Sequence, residues 1–201
     1  MAQYNNSDLE SLELDQGLWE QFFTVSPLVL IGTVDADGMS DLAPKHMAFP
    51  LGWENYFGFV CTPSHSTYQN IRRTSSFTVS YPRHDDIVET SLTAAPRCDD
   101  TKPIMDIVET FPAQEIPGVF IKNGFLFLEC ELVNIVDGFG DNSLIAGKIV
   151  AAYADPNALR GSDRDDADVL LKVPQLAYLY PGRFAVISES QAFPFPAGMR
   201  R

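Results

Sequence analysis

Residues 124–154 read GFLFLECELVNIVDGFGDNSLIAGKIVAAYA. Over 124–136 the side chains alternate: Leu126, Leu128, Cys130 and Leu132 fall on one face and Phe125, Phe127, Glu129 and Glu131 on the other, the period of two that a strand imposes. The turn DGFGDN at 137–142 separates this run from a second extended one, SLIAGKIVAAYA at 143–154. The pattern predicts two long antiparallel strands and a mainly β chain organised around them.

The segments upstream extend that sheet. PLVLIGTVDADGMSDLAPKHMAF at 27–49 places an apolar run and a second extended segment on either side of an Asp-Ala-Asp-Gly turn, which predicts a hairpin. NYFGFVCT at 55–62 predicts a further strand, SHSTYQNIRRT at 64–74 a short helix, and SFTVSY at 76–81 a return to strand. Downstream, GSDRDDADVLL at 161–171 has the acidic first turn of a helix, and LAYLYPGRFAVI at 176–187 supplies closing strands. Two helical stretches flank the sheet. One is an N-terminal segment over about 1–25, where SDLE at 7–10 has capping-box spacing and Leu9, Leu12, Trp19, Phe22 and Phe23 share a face. The other is an insertion over about 84–111, with helices expected in DDIVETSLTAA and KPIMDIVETF on either side of the breaker-rich APRCDDTK. The whole, 1–201, is expected to be one domain of mainly β class, an antiparallel β-barrel closed or partly closed, with flanking helices.

Composition narrows the function. A formal net charge of −13 disfavours general binding to nucleic acid or to an anionic membrane surface, and no apolar run approaches membrane-spanning length. MAQYNNSDLE lacks a basic signal-peptide n-region and an apolar h-region, and the cysteines Cys61, Cys98 and Cys130 form no C-x-x-C pair; reduced, buried thiols in a cytoplasmic protein are expected. Neither G-x-G-x-x-G after a first strand nor a P-loop is present. His46, His65 and His84 have no i, i+4 partner, and SDRDDAD at 162–168 lacks the glycine of a calcium loop, so no metal site is expected.

Against that acidic background, residues 42–83 hold Lys45, Arg72, Arg73 and Arg83 with Glu54 as the one acid. Thr62, Ser64, Ser66 and Thr67 crowd the predicted helix start, where free N–H groups and the positive dipole end attract an anion. N-capping uses the same residue types, but four hydroxyls beside His65 exceed what a cap needs, and a phosphate site is the favoured reading. In LAPKHMAF the small residues and Pro44 would let a planar ligand approach the backbone, with Lys45 and His46 as donors; an edge strand carrying a protective proline reads the same way.

Taken in order, PLVLIGTVDADGMSDLAPKHMAF, SHSTYQNIRRTSSFTVSYP and LECELVNIVDGFGDNSLIAGKIVAAYAD resemble the flavin reductase-like family, FMN-binding split-barrel proteins that include NAD(P)H:flavin oxidoreductases and flavoredoxin-like proteins. The resemblance runs from about Pro27 to Val186. It implies an antiparallel Greek-key split β-barrel and an FMN near a homodimer interface. The ring would lie against Ala43, Pro44, Lys45, His46 and Met47, and the phosphate or ribityl chain near Ser64, His65, Ser66, Thr67 and Asn70, with Thr62 beside them. The pyridoxamine phosphate oxidase type shares cofactor and architecture; the late 124–154 hairpin and the 84–111 insertion favour the reductase-like branch. Departures from the family pattern are Asp41, His46, Ser66 and Asn142, the last standing where many members carry a histidine associated with nicotinamide handling. The resemblance implies an NAD(P)H-dependent flavin reductase or related oxidoreductase, with NADH or NADPH as co-substrate, a small-molecule or protein redox partner, and no side chain as catalyst. An FMN-binding electron carrier or redox sensor without rapid NAD(P)H oxidation is the alternative, and a cofactor-free dimeric module a third.

Overall fold

A computed structural model describes residues 9–15, 17–97, 101–196 and 198. In chain order, β1 (Thr24–Pro27) precedes β2 (Val29–Val34), β3 (Ser40–Lys45), β4 (Ala48–Pro50) and β5 (Tyr56–Cys61). Helix α1 (Ser66–Thr74) leads into β6 (Ser76–Pro82) and is followed by α2 (Ile87–Leu92) and a short hairpin of β7 (Thr110–Pro112) and β8 (Val119–Ile121). The long strands β9 (Gly124–Phe139) and β10 (Asn142–Ala154) come next, then α3 (Asp166–Lys172), β11 (Gln175–Tyr180) and β12 (Arg183–Ile187).

Seven strands form one sheet in the order β3-β2-β6-β9-β10-β5-β4, every pairing antiparallel. The sheet curls into a half-barrel, the partly closed antiparallel barrel that the strand order predicts and the split-barrel architecture that the family resemblance implies. Its curvature has a local cause: the β9–β10 ladder shifts register at Asn142/Ser143, Ala146/Gly147 and Ile149/Ala151, and such bulges bend and twist a long ribbon. The turn between these strands is tighter than DGFGDN indicates, because β9 continues to Phe139 and Gly140, at φ 64°, makes the reversal. At the β2–β3 turn, Asp35 Oδ1 accepts from the N–H groups of Asp37 (3.0 Å) and Met39 (2.8 Å), the Asx geometry that the Asp-Ala-Asp-Gly reading predicts.

Both faces of the sheet are covered. Inside the curl lie Val29, Ile31, Phe57, Phe59, Phe77, Val79, Leu128, Cys130 and Ile145, with Tyr68 and Ile71 of α1 closing over them. Outside, Leu30 and Leu42 pack against Ile104, Val108 and Ile121, and Phe111, Phe120 and Phe127 form a three-ring cluster with centroids 5.1–5.3 Å apart.

Three local expectations change. Among the described residues before β1, only Leu18–Glu20 forms a helical turn, of 3-10 type, and Leu9, Leu12, Trp19, Phe22 and Phe23 are exposed; an apolar stripe with nothing to pack on leaves a short helix unsupported. Ser7 of the capping box and Cys98 lie outside the described residues. KPIMDIVETF makes a 3-10 turn at Pro103–Asp106 and then β7, since Phe111 finds Phe120 and Phe127 only if the backbone is extended. LAYLYPGRFAVI pairs with β1 in a separate sheet, order β1-β11-β12, instead of closing the large one. Cys61 and Cys130 are free and buried. No helix among the described residues is long and apolar enough to cross a membrane.

Candidate functional site

The edge strand β3 sorts its side chains to two cavities. Asp41, Ala43 and Lys45 line a polar cavity of about 430 Å³, whose second wall is Ser64, His65, Ser66 and Thr67 at the start of α1. Its third wall is Thr93–Arg97, beyond α2, together with Lys102. Pro44 reaches both this cavity and a second, apolar one of about 500 Å³ on whose lining His46 also lies.

Helix α1 starts from His65 in extended conformation, and no side chain caps it. The hydroxyls of Ser64, Ser66 and Thr67 are therefore not spent on the cap, and the first-turn N–H groups and the positive end of the helix stand at the wall of the polar cavity. Two cations in that wall are balanced within the protein. Lys102 Nζ donates to Asp41 Oδ1 and to the Leu42 carbonyl, both at 2.7 Å, and Arg97 pairs with Asp35 (2.8 Å) and more distantly with Asp41 (3.7 Å). Lys45 forms no ion pair among the described residues. Burial, with the Lys45 charge adding to it, holds the His65 imidazole below its ordinary value and hence neutral at neutral pH. The Asp35 carboxyl is pushed up by burial, but Arg97 and the N–H groups of Met39 and Asp37 outweigh that and hold it below the usual range.

His46 turns the other way. Its ring packs against those of Tyr178 (4.6 Å between centroids) and Tyr180 (5.5 Å), its Nε2 is buried without a hydrogen-bond partner, and burial followed by the Lys45 charge depresses its basicity.

The structure thus gathers Ala43, Pro44, Lys45, Ser64, His65, Ser66 and Thr67 around one cavity and sends His46 to its neighbour. Three other sequence candidates line neither. Asn70 is 3% exposed and donates to Thr33 Oγ1 at 3.0 Å, Thr62 Oγ1 donates to Asn142 Oδ1 at 3.1 Å, and Met47 is exposed. The basic cluster also disperses: Arg73 donates to the Val34 carbonyl (2.6 Å), Arg72 sits over the Tyr68 ring, and Arg83 pairs with Asp155. The wall that the sequence reading misses is Thr93–Arg97 with Lys102, which lay in APRCDDTK and its flank; its signal was a pair of cations in a strongly acidic chain.

Comparison with known proteins identifies the family and the fold. Residues 23–185 match the family described as "Flavin reductase like domain". A structure with a split barrel domain from Shewanella frigidimarina NCIMB 400 superposes with a TM-score of 0.77 at 18% identity, covering 98% of this chain and 100% of that one. Flavoredoxin of Desulfovibrio vulgaris (Miyazaki F) gives 0.76 at 17% identity, covering 94% and 100%. An FMN-binding protein from Thermus thermophilus gives 0.75 at 15% identity, covering 92% and 100%.

Proposed function

This chain belongs to the flavin reductase-like family, and we infer from that premise that it is an FMN-binding oxidoreductase reduced by NADH or NADPH. Flavin-linked redox chemistry is the activity of the family at the general level; the identity of the flavin and of its electron donor is our proposal. The observation that carries it is the uncapped start of α1 facing Lys45, which forms no ion pair among the described residues, across a polar cavity continuous with apolar surface at Pro44. A phosphate monoester needs the first feature and a planar ring the second.

In this reading the hydroxyls of Ser64, Ser66 and Thr67 and the first-turn N–H groups of α1 donate to the phosphate, and Lys45 neutralises it. Ala43 and Pro44 present a wall with little bulk, and Pro44 has no N–H to leave unpaired. Thr93–Arg97 excludes water from the third side, fixed there by the contacts of Arg97 and Lys102 with Asp35 and Asp41. When bound, FMN supplies the exchange of a hydride or of single electrons. We place Met47, Thr62 and Asn70 outside the direct contacts; Asn70 instead holds α1 to β2 through Thr33. The chain 1–201 acts as one cytoplasmic domain and pairs as a two-fold dimer, for which the exposed apolar residues Phe49 and Trp53 beside β4 are suited.

The test is a visible spectrum of the purified protein after FMN is added and the excess removed, followed by NADH or NADPH without oxygen. Flavin that is retained and bleaches rapidly with one nucleotide is the expected outcome; failure to retain any flavin would overturn the reading. Lys45→Ala removes a charge-assisted contact and should weaken FMN binding by about 1.5–3 kcal/mol, roughly ten- to a hundredfold. The proton resonances of His65 should titrate below 6.5 in the free protein and move upward when FMN arrives, because a nearby anion favours the imidazolium. One observation favours a second reading, an electron carrier or redox sensor: Asn142 is an amide whose Oδ1 accepts from Thr62, and an amide does not titrate near neutral pH as an imidazole does. Retained flavin that stays oxidised under both nucleotides would select it.

A further inference from the structure

We propose that the cleft between the end of the half-barrel and the separate three-stranded sheet binds a small neutral alcohol or phenol, a hydrocarbon body of about six to eight carbons carrying one hydroxyl. The inference goes beyond the flavin reading and does not rest on it.

The cleft exists because β1, β11 and β12 pair only with one another. Their sheet meets the half-barrel where Tyr81 and Pro82 end β6 and Phe125 opens β9, and two separately twisted sheets leave a gap between them. The gap measures about 220 Å³. A hydrocarbon-lined cavity of about 150 Å³ takes up benzene, so this one has room for a six-membered ring and a substituent. Leu28, Phe125, Leu176 and Ala177 on the lining are each 8% exposed or less, while Val25 and Ile187 are 66% and 39% exposed; a ligand can enter past these two without parting the sheets.

Polarity then selects among small ligands. No charged residue lines the cleft, although 20% of the chain is charged, so an ion entering it would lose its water and meet no counter-charge. The lining nonetheless carries hydrogen-bonding groups to spare. The hydroxyls of Tyr68 and Tyr178 each make a hydrogen bond, at 3.1 and 2.9 Å, but that of Tyr81 makes none among the described residues. Burial, with the Cys130 thiol adding to it, pushes the Tyr81 phenol up to about 12, so it stays a neutral O–H donor at physiological pH. Gln175 donates an amide N–H to the Val173 carbonyl at 3.1 Å, and its amide oxygen accepts from no described residue. A phenol donor and an amide acceptor on a largely hydrocarbon lining are matched by a ligand hydroxyl, which accepts from the one and donates to the other.

The experiment is a methyl NMR titration of the full chain with cyclohexanol, cyclohexanecarboxylate and cyclohexylammonium, each with and without saturating FMN. Cyclohexanol should shift the methyl resonances of Val25, Leu28, Leu176 and Ile187 together along one single-site curve, the same in both states, and each ion should bind at least about tenfold more weakly. Tyr81→Phe removes the donor and keeps the ring; it should weaken cyclohexanol about tenfold, a factor worth roughly 1.4 kcal/mol. The melting temperature of the ligand-free protein should not fall in that variant, because the hydroxyl has no partner to lose. Val25→Trp, which fills the cleft from an exposed position, should abolish the shifts. Equal affinity for alcohol and ions overturns the neutral class, and an affinity indifferent to Tyr81→Phe overturns the assigned donor. Competition with FMN overturns the site by giving the cleft to the flavin, and an affinity that falls as protein concentration rises overturns it by giving the cleft to a second copy of the chain. FMN retention with no shift at the cleft sinks this proposal alone; cyclohexanol binding without FMN retention sinks the flavin reading alone.

Discussion

The two faces of the seven-stranded sheet are buried by different physics. On the inner face Phe57, Phe59, Phe77 and Ile145, each 2% exposed or less, meet mostly hydrocarbon. The outer face carries Thr78, Ser80 and Glu129 at 0% exposure, and its cover is attached through them. The Glu129 carboxylate accepts from the N–H groups of Gln114 (2.9 Å), Glu115 (2.7 Å) and Ile116 (2.9 Å), and Thr78 Oγ1 donates to the Val119 carbonyl at 2.6 Å. Shape locks the inside and hydrogen bonds lock the outside. Thr93–Arg97 and Lys102 are likewise attached by polar contacts, to Asp35 and Asp41 at the sheet's β3 edge, so this wall of the candidate site depends on polar attachment more than on the apolar core.

Removing the largest of those attachments should break the comparison most visibly. Glu129→Ala deletes a buried acceptor and strands the three N–H groups that it serves, at an expected cost of about 3–5 kcal/mol. Urea unfolding would read this as a lowered midpoint, and amide exchange should speed up first at Gln114–Ile116. A loss below about 1 kcal/mol would mean that the aromatic contacts of Phe111 and Phe120 hold the cover without it.

Two glycines allow the faces to be tested by the same substitution. A Cβ on Gly147 would come 2.6 Å from Phe77 Cε1 and 3.1 Å from Cys130 Cβ, inside the curl. One on Gly32 would fall on Thr78 Oγ1 and 2.6 Å from the Val119 carbonyl oxygen, outside it. Each alanine variant should lose roughly 1–3 kcal/mol by overpacking. Only Gly32→Ala should also loosen residues 110–121 in amide exchange and weaken FMN retention, because only there does the added methyl push against the cover. Identical exchange patterns in the two variants would remove the distinction between the faces.

What could be read in the sequence follows the same division. The inner face was legible because alternation alone specifies it: Leu126, Leu128, Cys130 and Leu132 point inward as their period requires. On the other face Glu129 and Glu131 look equivalent in sequence, yet the first is wholly buried and the second exposed, a difference set by a loop that returns from 114–116. The hydroxyl-rich start of α1 was legible because helix ends have local chemistry. Asn70 and Thr62 were not, since their partners Thr33 and Asn142 are 37 and 80 residues away. Thr93–Arg97 resembled a linker and becomes a wall only through the pairing of Arg97 and Lys102 with Asp35 and Asp41.

That last pairing gives the smallest and most selective effect, a signature in pH. Asp35 has its folded-state pKa below the ordinary 3.8, so its contribution is complete above that value and is lost as pH falls through the depressed one. Asp35→Asn keeps an oxygen to accept from the N–H groups of Asp37 and Met39 while deleting the charge that Arg97 meets. At neutral pH the variant should melt slightly below the parent; between about pH 4 and pH 2 the two should converge, because the parent alone still has that ion pair to lose. An inner-face change such as Phe77→Leu should instead lower stability by a constant amount over that range, as the thiols that share its cluster, Cys61 and Cys130, stay protonated there. If Asp35→Asn also produced a constant offset, the turn would be held by the backbone contacts of Asp35, and its charge would have no part in placing Arg97 at the cavity.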